Sequence, residues 1–335
     1  MVTVCVDAMG GESGTDVVLE GITQALEEDQ DLEILVVGNE DVVVPFCDAH
    51  DRAKPLVSTE VIEMDEHPAT AARTKRDSSI VKGCAAVRHG EADAFFSAGS
   101  TGAILIAASI NIGRIRGVKR AALSTSIPGA SGRRTVMLDM GANANVHEGM
   151  IVQFAHMGRA FSKITLGVEE PTVALLSNGS EETKGSEQVI AQHQELAAAG
   201  DWFVGNAEGS DLLAGRFDVI VTDGFTGNVA LKSLEGTAKY IVGEIKKATK
   251  KSVASALGAL LLKSAMKEIA GGLSDEQYGG AFLLGLKAPV VIGHGKTSVT
   301  AVKNGALACA KAVREGLVDK IAAELESSSL SDESE

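Results

Sequence analysis

The sequence predicts an α/β fold on a mostly parallel sheet, and three features predict it. Short apolar runs alternate with longer stretches of helical period. Several of the runs are nearly all apolar, as parallel strands covered on both faces are. Most of them end in a glycine-bearing turn of the strand-to-helix type. Hydrophobic residues make up 45% of 335, enough for one large core, and no internal repeat or Pro/Gly/Ser-rich linker divides the chain. The expected architecture is a doubly wound, Rossmann-like sheet in three α/β/α layers.

The first strand is read at Val2–Val6, and a helix follows at Thr15–Glu28. Strands at Leu32–Val37 and Leu56–Ile62 precede a helix at Ser79–His89 and a strand at Ala94–Ser97. A helix at Thr101–Gly113 leads to strands at Ala121–Ile127 and Thr135–Asp139, then a helix at Glu148–Lys163. The strand Thr172–Leu176 is followed by a helix at Gly185–Ala199 and strands at Trp202–Val204, Asp218–Thr222 and Pro289–Ile292. Before that last strand a helical insertion is expected at about 240–287, entered by a helix at Gly227–Ala248. Its second helix, Val253–Ile269, carries leucines flanked by lysines, a pattern that suits a membrane interface, a dimer interface or a core. Residues 1–326 form one domain on this reading, and Ser327–Glu335 an acidic tail expected to be disordered.

Composition narrows the function. A formal charge of −14 weighs against nucleic acid as a partner. The N-terminal residues read as a strand, so no signal peptide is expected, and Gly102–Ile110 is too short to span a membrane. Four cysteines without CxxC spacing point to a reduced, cytoplasmic protein. Basic clusters such as Arg73/Lys75/Arg76 are either solvated faces or patches for an acidic partner or anionic membrane. There is no HExxH, no paired His/Cys spacing and no GxSxG, so neither a metal nor a serine triad is indicated. "GHGKT" lacks the first glycine of a phosphate-binding P-loop, and "MGGESG" lacks the first of the dinucleotide fingerprint.

What remains is a set of glycine-rich strand ends: "DAMGG", "SAGSTGA", "LDMGAN", "SNGSEETKG" and "TDGFTGN". Five such loops on one edge of an open parallel sheet predict an anion crevice, because small residues expose amides and helix N-termini favour negative charge. Lys184 is out of place in this pattern, since an ammonium opposes the positive end of a helix dipole. A bound anion offsets that repulsion; a surface pair with Glu181 or Glu182 is the plainer explanation.

The same motifs, with "QFAHMG", "EETKG", "DGFTGNVALKSLEG" and "YGGAFLLGLKAPVVIGHG", resemble the PlsX family of phosphate acyltransferases over nearly the whole length. The resemblance implies transfer of a long-chain acyl group from acyl carrier protein to inorganic phosphate. The acyl phosphate then feeds a membrane acyltransferase of phospholipid synthesis. It also implies a homodimer touching the membrane peripherally, with no cofactor. Ser100 and Ser177 stand where the family usually has Asn, and Ser180 where it has an acid, so altered affinity is expected rather than another reaction. On this reading Lys184 and Asn228 are catalytic, as electrostatic partner and amide donor. Gly99, Ser100, Thr101 and Gly102 cradle the anion, with Gly10, Gly11 and Asn143 beside them. Asp7 and Asp223 fix their loops first and touch substrate second, His67 and His294 are the proton-relay candidates, and His156 is structural. Arg73, Lys75 and Arg76 form the expected dock for the acidic carrier. Three alternatives stay open: a phosphotransacetylase-like enzyme using short acyl-CoA, a non-catalytic acyl-carrier-binding or membrane-binding regulator, and an NAD-linked dehydrogenase.

Overall fold

The computed structural model describes residues 1–249, 252, 258, 262 and 279–332. In its first half β1 (Val2–Asp7), α1 (Thr15–Glu28), β2 (Leu32–Gly38), α2 (Glu40–Asp48) and β3 (Ala53–Val57) are followed by α3 (Pro68–Thr74), α4 (Ser79–Arg88), β4 (Ala94–Ser97) and α5 (Thr101–Asn111). Next come β5 (Ala122–Pro128), β6 (Arg134–Leu138), α6 (Met150–Thr165), β7 (Val173–Leu176), α7 (Glu187–Ala199), β8 (Phe203–Ala207), β9 (Val219–Val221) and α8 (Gly224–Thr249). The chain closes with β10 (Ala281–Leu284), β11 (Val290–Ile292), α9 (Val299–Arg314) and α10 (Leu317–Asp332).

All eleven strands form one sheet in the order β3-β2-β1-β4-β11-β10-β5-β6-β9-β7-β8. One face packs under α1, α2, α6, α7, α9 and α10, and the other under α3, α4, α5 and α8, which are the three expected layers. The fully buried Val4, Val6, Phe95, Phe96, Met137 and Leu138 show why the central strands read as apolar on both faces.

The sheet departs from expectation at its centre. β10 lies antiparallel to both β11 and β5, and β5 lies antiparallel to β6. Strands β6, β9, β7 and β8 therefore run opposite to β3, β2, β1, β4 and β11. β10, at Ala281–Leu284 inside the sheet, falls within the span 240–287 of the expected helical insertion. The expected strand at Leu56–Ile62 is displaced to β3, whose register against β2 ends at Val57; beyond it Asp77 draws the chain away through the Thr59 amide. α10 runs to Asp332, into the segment expected as a disordered tail. The expected helix at Val253–Ile269 lies outside the described residues. Among the described residues no helix is long and apolar enough to cross a membrane.

Candidate active site

The five glycine loops do not share one edge. "DAMGG" and "SAGSTGA" follow β1 and β4, whereas "LDMGAN", "SNGSEETKG" and "TDGFTGN" follow β6, β7 and β9, which run the other way. The predicted site residues accordingly gather into two groups, one in each half of the sheet.

In the first group Asp7 ends β1, fully buried. Its carboxylate accepts from Ser97 Oγ at 2.7 Å and from the Met9 amide at 3.0 Å, and Ser97 Oγ accepts from the Gly99 amide at 3.0 Å. Burial pushes the Asp7 carboxyl upward, against hydrogen bonds from Ser97, Ser79 and the Met9 and Gly10 amides. A Cβ on Gly10 would sit 2.7 Å from Asp7 Oδ2 and 2.8 Å from the Gly99 nitrogen, so this turn tolerates no side chain. The Glu12 amide donates to Gly295 O at 2.7 Å, which joins the loop holding Gly11 to the one holding His294. Gly10, Gly11 and Gly99 thus serve loop-on-loop packing, and a Cβ on Gly102 would meet Pro68 at 2.8 Å. Ser100 is buried at the start of α5 with no capping hydrogen bond, while Thr101, His67 and His294 are exposed. The His294 ring nitrogen Nδ1 accepts from the Lys296 amide at 3.1 Å.

The second group is built around Asp139, which the sequence reading passed over as a strand end. It is fully buried and accepts from the amides of Leu123, Gly141 and Ala142 at Oδ1, and from the Asn143 amide and side chain at Oδ2. Burial pushes its carboxyl up, and the hydrogen bonds from the Ala142, Leu123 and Gly141 amides and the Asn143 side chain pull it down. Asn143 also donates to Ala121 O at 2.8 Å and its carbonyl accepts from the Gly224 amide at 2.7 Å, so it fixes the loop and the start of α8. Asp223 caps α8, accepting from the Thr226 amide at 2.8 Å and hydroxyl at 2.7 Å. α8 approaches β6 so closely that a Cβ on Gly227 would lie 1.9 Å from Asp139 O. Asn228, one residue on, is exposed beside Gly141, and its carboxamide makes no hydrogen bond among the described residues.

Lys184 joins this second group. Ser177, Gly185, Ser186 and Thr226 line a cleft of about 390 Å³ into which the loops after β7 and β9 and the starts of α7 and α8 converge. Asn206 holds the Lys184 loop by donating to Glu181 O at 2.9 Å, and His193 positions Asn206 at 2.9 Å. The Lys184 stem folds over Gly179, and among the described residues its ammonium has neither an ion pair nor a hydrogen bond. The pairing with Glu181 or Glu182 is therefore not made. An uncommitted cation and an uncommitted amide donor beside two helix starts can hold an anion and stabilise an oxyanion.

Other expected residues fall elsewhere. Lys75 is spent on Glu66 at 2.5 Å and Val61 O at 2.7 Å, so of the proposed dock only Arg73 and Arg76 stand exposed. His156 is buried in α6 against Trp202, its Nδ1 3.8 Å from Glu324. All four thiols are buried, and burial pushes them up, Cys47 to about 11 and the others further.

A family model described as fatty acid synthesis protein matches residues 2–320. A phosphate acyltransferase of Limosilactobacillus fermentum is 47% identical over 86% of this chain and 85% of its own length. One from Thermoanaerobacter pseudethanolicus is 39% identical over 96% and 97%. Among solved structures, a phosphotransacetylase from Streptococcus pyogenes superposes with TM-score 0.61, covering 94% of both chains at 16% identity, a likeness of fold. The chain belongs to the PlsX family of fatty acid synthesis proteins.

Proposed function

We propose that this chain transfers a long-chain acyl group from an acyl carrier protein thioester to inorganic phosphate, giving acyl phosphate and the carrier thiol. Relatives named phosphate acyltransferase over most of the chain support the reaction. The observation that carries it to a site is the Lys184 ammonium, uncommitted among the described residues, on the loop whose next two residues, Gly185 and Ser186, line the cleft where α7 and α8 begin. A covalent acyl-cysteine route has little support, because buried thiols with raised pKa supply almost no thiolate. Phosphate is then the nucleophile: its oxygen bonds to the acyl carbon, the C–S bond breaks, and the sulfur leaves as a thiolate that takes up a proton. With a thiol pKa of about 8.5, departure needs little acid assistance. Lys184 holds the phosphate, and Asn228 donates to the carbonyl oxygen as it becomes negative; such a donor contributes about 3–4 kcal/mol.

The cleft near Lys184 is assigned the reaction, and the α5 start, with Ser100 and Thr101, is a separate anion position. Exposed Arg73 and Arg76 are the dock for the acidic carrier. On α8, Phe225, Val229, Tyr240 and Ile241 expose half or more of their surface, a stripe we assign to a second copy of the chain. The enzyme acts in the cytoplasm and at the membrane surface, handing acyl phosphate to a membrane acyltransferase. Long-chain acyl carrier thioester with phosphate, trapped by hydroxylamine, should give acyl hydroxamate faster than acetyl-CoA does. Equal or faster reaction of acetyl-CoA would support the short-chain alternative, and no phosphate-dependent thiol release from either donor would end the proposal.

A further inference from the structure

On the face of the sheet away from α8, a cavity of about 280 Å³ lies between α6 and α9, over β5 and β10. Its walls are mostly apolar, with Phe161, Ile164, Leu166, Phe282 and Leu307 among them, and the Phe161 and Phe282 rings meet at a tilt with centroids 4.8 Å apart. It shares no lining residue with the cleft between Ser177 and Thr226. An apolar cavity of about 150 Å³ admits benzene, so this one has room for roughly eleven carbons. Two features of its lining select the occupant. Lys311 lines it with a half-exposed side chain, and Ser126, also lining, receives the Arg134 guanidinium at 2.7 Å. In a chain of net charge −14, the described lining residues include no carboxylate. The acid near Lys311 is Glu315, 3.9 Å away across an exposed turn, a weak contact.

We infer that this cavity binds the alkyl chain of a free fatty carboxylate, with the carboxylate at Lys311, as a site separate from the acyl-transfer cleft. An apolar pocket with one or two polar groups at its mouth is how such amphiphiles are held, the chain supplying affinity and the cation orientation. The inference does not depend on the reaction proposed for Lys184.

The test is titration of the full chain with radiolabelled decanoate as the probe, displaced by dodecanoate or by dodecanol. Wild type should bind one probe per chain, and dodecanoate should displace it better than dodecanol. Ala308→Phe, which fills the cavity from α9, and Lys311→Glu, at the exposed rim, should each weaken probe binding about tenfold, or roughly 1.4 kcal/mol. Hydroxamate formation should stay near wild type in both. Absence of probe binding to wild type, wild-type affinity in Lys311→Glu, or equal displacement by the alcohol would overturn the inference. If circular dichroism shows Ala308→Phe misfolded, Lys311→Glu and the alcohol comparison decide it.

Discussion

Replacing Lys184 with Ala removes a cation that the fold leaves uncommitted, so the loss is read in catalysis and not in stability. A unit charge about 4 Å from one phosphate charge is worth about 4 kcal/mol at an effective dielectric of 20. Lys184 is exposed, and solvent screening lowers this toward 3 kcal/mol, about a hundredfold in kcat/KM for phosphate. Asn228→Ala should fall by about the same factor. A double-mutant cycle extends the test to the division of the sheet. Groups sharing a substrate should couple by about 0.5–3 kcal/mol, and distant ones should add within about 0.5 kcal/mol. Lys184 and Asn228 are thus predicted to couple, and Lys184 and Ser100 to be additive. The assay is phosphate-dependent thiol release from acyl carrier thioester, with thermal melting to confirm the fold. Turnover of Lys184→Ala within about threefold of wild type, or a Ser100 coupling as large as that of Asn228, would refute the reasoning.

Gly227→Ala places a Cβ 1.9 Å from Asp139 O and should cost about 3 kcal/mol or more, or prevent folding; Gly236→Ala in the same helix meets nothing within 4 Å and should stabilise by about 0.5–1 kcal/mol, both read by thermal melting. Glu324 lies beside His156 and ion-pairs with Lys163 and Arg159, which together hold its carboxyl at about 2 despite burial. At 3.8 Å the imidazole is beyond hydrogen-bond reach, which leaves the two ion pairs as the stronger contacts. A depressed carboxyl stabilises the fold above its unfolded pKa, so Glu324→Gln should cost about 2–3 kcal/mol at pH 7, and the difference should shrink as pH falls from about 4.5 toward 2. KM for the carrier thioester should rise with salt past about 0.15 M and rise again in Arg73→Glu and Arg76→Glu, whereas KM for phosphate should not follow the arginine changes.

The layers and most element positions were legible because burial on both faces writes itself into apolar runs, as in Val2–Asp7 and Val173–Leu176. The reversal of the sheet was not read, although a signal for it was present. Only Gly129–Arg133 separates β5 from β6, and so short a link cannot make a parallel crossover, which needs a dozen residues or more. β10 stayed hidden because four apolar residues carry no period to distinguish strand from helix. Lys184, Asn228 and Asp223 were singled out because a polar residue at a helix start is conspicuous in sequence. Asp139 was missed because its five donors come from folded backbone and from Asn143, which no spacing records. The commitment of Lys75 to Glu66 is likewise a matter of loop geometry, invisible in a run of basic residues.

The most direct measurement is a crystal structure with orthophosphate bound. The anion should lie in the cleft between Ser177 and Thr226, with the Lys184 ammonium and the Asn228 amide turned toward it. Phosphate seated only at the start of α5, with Lys184 extended into bulk solvent, would contradict the account.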